Sequence, residues 1–226
     1  MPLLAALLLA PRPSTLLAGC SVMAAFGAFN AFGRFLGGRE RARGPGFVAL
    51  GVAAVLAAVA LLLANRPIPL LVIYGIAVVT GSVVTFAWRG RHPRKTPLEI
   101  AAIGGCAVIG AGIATAGGAD VSHAVVVGAV ITTWAIWSLW WVRGQLARIL
   151  PKRTPWSNGR LVVIVLSLVT FAAGALLGHP LAAALPLVYP LRTVVHAPVR
   201  SAGKARILGL TELGWALGIA GLAVAL

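Results

Sequence analysis

The sequence predicts an all-α protein: a polytopic transmembrane bundle of about eight to nine helices, forming one integral membrane domain over residues 1–226. Three observations predict it. The chain is 60% hydrophobic and 10% charged, whereas a soluble domain carries about 25% charged residues. Apolar runs recur at 14–33, 46–65, 67–88, 97–117, 121–142, 161–178, 181–191 and 208–226. Roughly 20 apolar residues cross about 30 Å of hydrocarbon, and only 181–191 falls well short of that. The gaps between runs alternate between basic and nearly uncharged. Helices follow because lipid offers no partner to a free backbone group, and the runs lack the alternation of a barrel strand.

The alternation also sets the expected orientation. Of nineteen Lys and Arg residues, seventeen fall in alternate gaps, leaving only Arg12 and Arg66 for the other side. Short Lys/Arg-rich loops stay in the cytoplasm, so the segments 34–45, 89–96, 143–160 and 192–207 are expected inside and the C-terminus outside. The net charge of +15 is then topogenic, attracting anionic lipid heads and not nucleic acid.

In chain order, residues 1–10 are apolar but too short to span, and Pro11-Arg12-Pro13 breaks the helix before Ser14. Three readings stand for this stretch. Leu17-Ala18-Gly19-Cys20 fits a lipoprotein signal, although no Lys or Arg precedes the apolar stretch. The alternatives are a short re-entrant or interfacial helix, and the distal half of a span that begins before this chain. Asn65-Arg66-Pro67 and Gly117-Gly118-Ala119-Asp120 read as external turns. Thr96-Pro97-Leu98-Glu99 reads as a capping box with Pro at the first helical position. In the run 121–142, Trp134, Trp137 and Trp141 share a face and are expected to form an interfacial aromatic belt, with a ligand-stacking platform as the alternative. That helix is expected to continue towards Leu150 as an amphipathic stretch stopped by Pro151. Pro186 and Pro190 should kink 181–191. Gly214-xxx-Gly218 is expected to permit close helix packing, and Cys20 and Cys106 are expected to act as small buried hydrophobes.

The chemistry is bounded by what is scarce. The four carboxylates, Glu40, Glu99, Asp120 and Glu212, share no local motif. A magnesium–diphosphate site needs clustered oxygen ligands, so no metal and no cofactor is expected. No histidine pair has metal-ligand spacing, and no phosphate loop, nucleophile elbow or dinucleotide fingerprint is present. Glu99 and Glu212 are the catalytic candidates, because both lie just inside expected cytoplasmic helix ends. For Glu99 the competing role is helix capping; for Glu212 it is pairing with Arg206 or another loop cation. An ionisable group at such depth costs free energy and marks a functional candidate.

Three segments carry a family resemblance. They are Arg94-Lys95-Thr96-Pro97-Leu98-Glu99-Ile100-Ala101-Ala102-Ile103, Trp140-Trp141-Val142-Arg143, and Lys204-Ala205-Arg206-Ile207-Leu208-Gly209-Leu210-Thr211-Glu212-Leu213. Their order, with short basic loops and glycine-rich spans, resembles the YwiC-like family of bacterial membrane proteins. That family is similar in fold to the UbiA intramembrane prenyltransferases, so the resemblance implies a UbiA-like bundle in the bacterial cytoplasmic (inner) membrane. Two departures matter. Family members usually open with a His-Gly-Ala-Trp-type segment that this chain lacks, so residues 1–10 look like a truncated first helix. The prenyltransferases also carry Asp-rich motifs in the loops corresponding to Asn30–Gly44 and Arg143–Arg160, where the only acid here is Glu40.

The expected function is therefore the binding of a membrane lipid without magnesium-dependent prenyl transfer. Arg89, Arg94, Lys95, Arg143, Arg148, Arg192 and Arg206 would hold an anionic lipid or isoprenoid phosphate head at a basic cytoplasmic mouth. A membrane enzyme acting on a lipid-linked group is the alternative. A small-molecule transporter is the third reading, weakened by a midplane that offers only hydroxyls such as Thr80, Ser82, Thr132 and Thr133.

Overall fold

A computed structural model describes residues 2–36, 43–64, 67–89, 96–149, 159–189 and 204–226. Among the described residues there are nine α-helices and no strand. They are α1 (Pro2–Leu9), α2 (Pro13–Leu36), α3 (Arg43–Leu63), α4 (Pro67–Arg89), α5 (Thr96–Ala116), α6 (Val121–Ile149), α7 (Gly159–Leu176), α8 (Pro180–Ala184) and α9 (Lys204–Ala225). A 3-10 turn, Leu185–Val188, follows α8 and contains Pro186, which accounts for the short, interrupted run expected there. The continuation of α6 past Arg143 is continuous helix; its 29 residues amount to about 43 Å, longer than the hydrocarbon layer. Gly44–Leu63, Val121–Gln145 and Gly159–Leu176 are long and apolar enough, by length and composition, to cross a membrane.

The outer faces are as apolar as the interior. On α3, Phe47, Val48, Val52, Val55, Val59 and Leu62 are all exposed. A soluble protein rarely shows so continuous an apolar surface; lipid accepts it without penalty. Cys20 and Cys106 share this outward setting. That corrects the expectation that they are buried, because a small thiol costs as little against lipid as against a neighbouring helix.

The chain divides into two compact units, residues 2–124 and residues 125–226, the division falling within α6. In the first unit, α2 and α3 pack lengthwise and Ser21 donates to the Ala53 carbonyl across 2.9 Å. Its core is built of small residues, including Ala6, Ala10, Ala18, Ala60, Ala114 and Ala116, around Leu70, Ile73, Ile109 and Ile113. Small residues let helix backbones approach where no hydrophobic effect drives association. Gly112 shows the limit: a Cβ there would collide with the Ile73 side chain. A Cβ on Gly117 would likewise strike Thr15 and Ala10.

Of the two turns read from sequence, Asn65-Arg66-Pro67 lies partly outside the described residues, and Gly117-Gly118-Ala119-Asp120 is built from local signals. After α5, Gly118 takes φ 101°. The Ala119 N–H bonds Ala114 O at 3.0 Å and the Gly118 N–H bonds Thr115 O at 3.0 Å, closing the helix as a Schellman motif. Asp120 then caps α6, accepting from the His123 N–H at 2.9 Å and from the Ser122 hydroxyl. After α7 the device repeats: Gly178 has φ 84°, and the His179 N–H bonds Gly174 O at 2.8 Å. Pro180 then opens α8. Gly174 is pressed against Ala183, so this hairpin leaves no room for a side chain.

Candidate functional site

The second unit has a polar and aromatic interior that its sequence does not advertise. It begins on α6, where the stretch from Val121 is helical because its apolar residues cover every face. Within it, Thr133, Trp134, Trp137 and Ser138 fall on neighbouring faces at helical spacing. Thr133 Oγ1 and Thr170 Oγ1 of α7 share a hydrogen bond of 2.8 Å. One turn on, the Trp137 indole N–H donates to Ser167 Oγ at 2.8 Å, and that hydroxyl donates to the Val163 carbonyl at 2.8 Å. α7 supplies Ser167 and Thr170 at i and i+3, so both meet α6 on one face.

Beyond this ladder lies Glu212. It is buried, 8% exposed, and accepts a hydrogen bond of 2.6 Å from the Ser138 hydroxyl. That length is in the range of a hydroxyl donating to a carboxylate. Tyr189, wholly buried at the end of the 3-10 turn, donates a longer bond of 3.5 Å to Ser138. Its ring stacks on Trp137 at 4.8 Å and meets Trp134 edge-on at 4.5 Å. Trp215, one turn after Glu212 on α9, stacks against Trp134 at 6.3 Å. Trp134 and Trp137 are only 2% and 3% exposed, which corrects the expectation of an interfacial belt. The face shared at i, i+3 was read correctly, but Tyr189 and α9 cover it. Trp134 keeps a buried indole N–H with no hydrogen-bond partner.

Five residues beyond Ser138, about 8 Å along α6, lies half-buried Arg143, and two further is Gln145, 1% exposed. Of the other basic residues expected at a cytoplasmic mouth, Arg89 closes α4, Arg148 lies near the end of α6 and Arg206 lies in the first turn of α9. Their side chains, and that of Glu99 in the first turn of α5, lie outside the described residues. Arg94, Lys95 and Arg192 lie outside them altogether. Glu99 belongs to the first unit and Glu212 to the second. Among the described residues, no three of His, Cys, Asp and Glu are grouped to hold a metal ion.

An apolar groove of about 390 Å³ runs along α9, lined by Thr211, Gly214, Trp215, Gly218, Ile219 and Leu222. A Cβ on Gly214 or Gly218 would meet no described atom within 4 Å. Within the described residues of the second unit, these glycines make no close helix contact of the kind expected of Gly-xxx-Gly. Ser138, Tyr189, Ser167 and Thr170 were not singled out from sequence. The available signal was the hydroxyl spacing on α7 and the placement of Ser138 one turn after a tryptophan.

An all-α protein with apolar outer faces, span-length helices and a small-residue core is a membrane protein. The chain belongs to the YwiC-like protein family, whose pattern matches residues 1–114. Neither a curated protein nor a solved structure matches the chain.

Proposed function

We propose that this chain is a multi-pass protein of the bacterial cytoplasmic membrane, with a UbiA-like bundle, that holds an anionic lipid or isoprenoid phosphate head at a basic cytoplasmic mouth. The observation that carries the reading is Arg143: half-buried at the end of the apolar part of α6, it sits about 8 Å beyond the Ser138–Glu212 pair. An arginine at such a helix end favours a stem in the apolar region and a head at the interface, where a phosphate oxygen is among the strongest partners it can take. The clustering of seventeen of nineteen cations in alternate gaps supports it, since those residues share the leaflet where anionic heads concentrate. No step through magnesium is invoked, because the Asp-rich motifs of the prenyltransferases have no counterpart in this sequence.

Lipid analysis by native mass spectrometry tests it. Protein extracted in mild detergent should carry phosphatidylglycerol, cardiolipin or an isoprenoid phosphate, and Arg143→Gln should weaken that retention. Retention of zwitterionic and anionic lipids in the proportions of the bulk membrane would sink the reading.

A second reading has one specific observation in its favour. Glu212 is buried, and Ser138 fixes its Oε2. A positioned carboxylate is what an enzyme acting on a lipid-linked group would need as general acid or base. Turnover of a lipid-linked substrate lost in Glu212→Gln, with the protein still folded, would favour it.

A further inference from the structure

We propose that Ser138 is a nucleophile, with Glu212 as its base, for acyl transfer from a carboxylic ester of a membrane lipid. This rests on the enzyme reading above and names its reacting atom and its substrate class.

The pair is the first observation. A serine hydroxyl is a weak nucleophile until a base stands ready for its proton. The Ser138 hydroxyl already donates to Glu212 Oε2 at 2.6 Å, so the proton can pass along a hydrogen bond that exists before any substrate arrives. Ser138 is half-buried and Glu212 is buried, so the attacking group is the more accessible of the two. A hydroxyl oxygen carries two lone pairs. Tyr189 engages one of them across a long 3.5 Å, which leaves Oγ electrons with which to form a bond.

An unmatched donor is the second. Trp134 is 2% exposed, and its indole N–H has no hydrogen-bond partner. It lies four residues before Ser138, one turn or about 6 Å along α6, on the same face. A buried donor left unmade costs about 1–3 kcal/mol. What this one lacks is an acceptor. The carbonyl oxygen of an ester under attack at Ser138 is such an acceptor, and it gains negative charge as the bond forms. Trp137 is the contrast, since its N–H is already given to Ser167.

The substrate class follows from the neighbours. Ser138 meets a carboxylate and a phenol, with no cation among its described partners. The stacked rings of Trp134, Trp137 and Tyr189 supply apolar walls. Phosphoryl transfer relies on cations at the reacting group, whereas neutral donors suffice for acyl transfer. In the step, Ser138 Oγ bonds to the carbonyl carbon as its proton passes to Glu212. The bond from that carbon to the alcohol oxygen then breaks, and Glu212 returns the proton to the departing oxygen. The acyl group stays on Ser138 until water or another hydroxyl attacks it, with its proton passing through Glu212 in the same way.

A long-chain alkyl fluorophosphonate, incubated with the full chain in mild detergent, tests this. Ser138 Oγ should displace fluoride from phosphorus, and peptide mass spectrometry of the parent protein should place the adduct on Ser138. Glu212→Gln should slow labelling by about 10²-fold or more. Glu212→Asp, which keeps the charge but draws it back by one methylene, should also slow it and serves if Glu212→Gln folds poorly. Trp134→Phe should slow labelling by about 10²-fold without the stability loss of Trp137→Phe, a split that a purely structural indole would not produce. A long-chain p-nitrophenyl ester should give a burst of nitrophenolate stoichiometric with protein. Absence of an adduct on Ser138 overturns the proposal. Labelling as fast in folded Glu212→Gln as in the parent overturns it too, since Glu212 is then a structural partner alone. If ester turnover depends on Glu212 while Ser138 carries no adduct, Glu212 acts on water: the enzyme reading stands and the nucleophile falls. If neither adduct nor Glu212-dependent turnover appears, both fall.

Discussion

The hydroxyl of Ser138 on α6 donates to the carboxylate of Glu212 on α9 across 2.6 Å, joining residues 74 positions apart in the chain. The bond helps a carboxylate sit 8% exposed beside the hydroxyls and aromatic rings of the second unit. A buried charge without hydrogen bonds costs several kcal/mol, and each donor it gains offsets part of that.

Ser138→Ala should therefore destabilise the protein by about 1–3 kcal/mol, the usual cost of leaving a buried charged acceptor short of a donor. Thermal unfolding in detergent reads this. Combined with Glu212→Gln, the two effects should fall short of additive by about 0.5 kcal/mol or more, as residues in direct contact do. Strict additivity would mean that the contact carries no energy.

The two buried indoles give a paired prediction. Trp137 donates to Ser167 whereas the Trp134 N–H has no partner. Trp137→Phe loses packing and a hydrogen bond worth about 1 kcal/mol; Trp134→Phe loses packing but relieves an unsatisfied donor. Trp134→Phe should be the milder change in melting temperature. The reverse order would show that the Trp134 N–H is satisfied in the membrane.

Glycines should divide by position. Gly174→Leu forces a side chain into Ala183 and should cost about 1–3 kcal/mol or prevent folding. Gly214→Ala meets open space and replaces glycine with a better helix former, so stability should hold or rise by up to about 1 kcal/mol. Detergent melting curves of the two variants provide the comparison. Equal damage from both would mean that α9 packs against another surface through Gly214.

The charge distribution makes a prediction about sidedness. A C-terminal alkaline phosphatase fusion should be active and a C-terminal fluorescent protein that requires the cytosol should be dark. The opposite pair of results would invert the orientation, and with it the leaflet assigned to the lipid.

Much of this architecture is local and so was legible in the sequence. Run length and hydropathy located the long helices, and the end of α6 near Leu150 followed from Pro151 and the amphipathic stretch before it. The turn between α5 and α6 was marked by Gly118 and Asp120, a left-handed glycine and a helix cap whose effects reach no further than a few residues. That Glu212 would need a polar partner was also visible, because a carboxylate beside an apolar run is costly wherever the chain takes it.

What tertiary structure alone decided is which face of each helix meets protein and which meets lipid. In water an apolar stripe points to the core. In a membrane both directions are apolar, so periodicity loses that information. Trp134 and Trp137 could therefore be read as an interfacial belt, although Tyr189 and Trp215 enclose them. Cys20 and Cys106 face outward, and Gly112 closes a helix contact where Gly214 and Gly218 meet no described neighbour. The partner of Glu212 was beyond reach for the same reason. Ser138 lies 74 positions away on α6, and only the packing of α9 could select its hydroxyl.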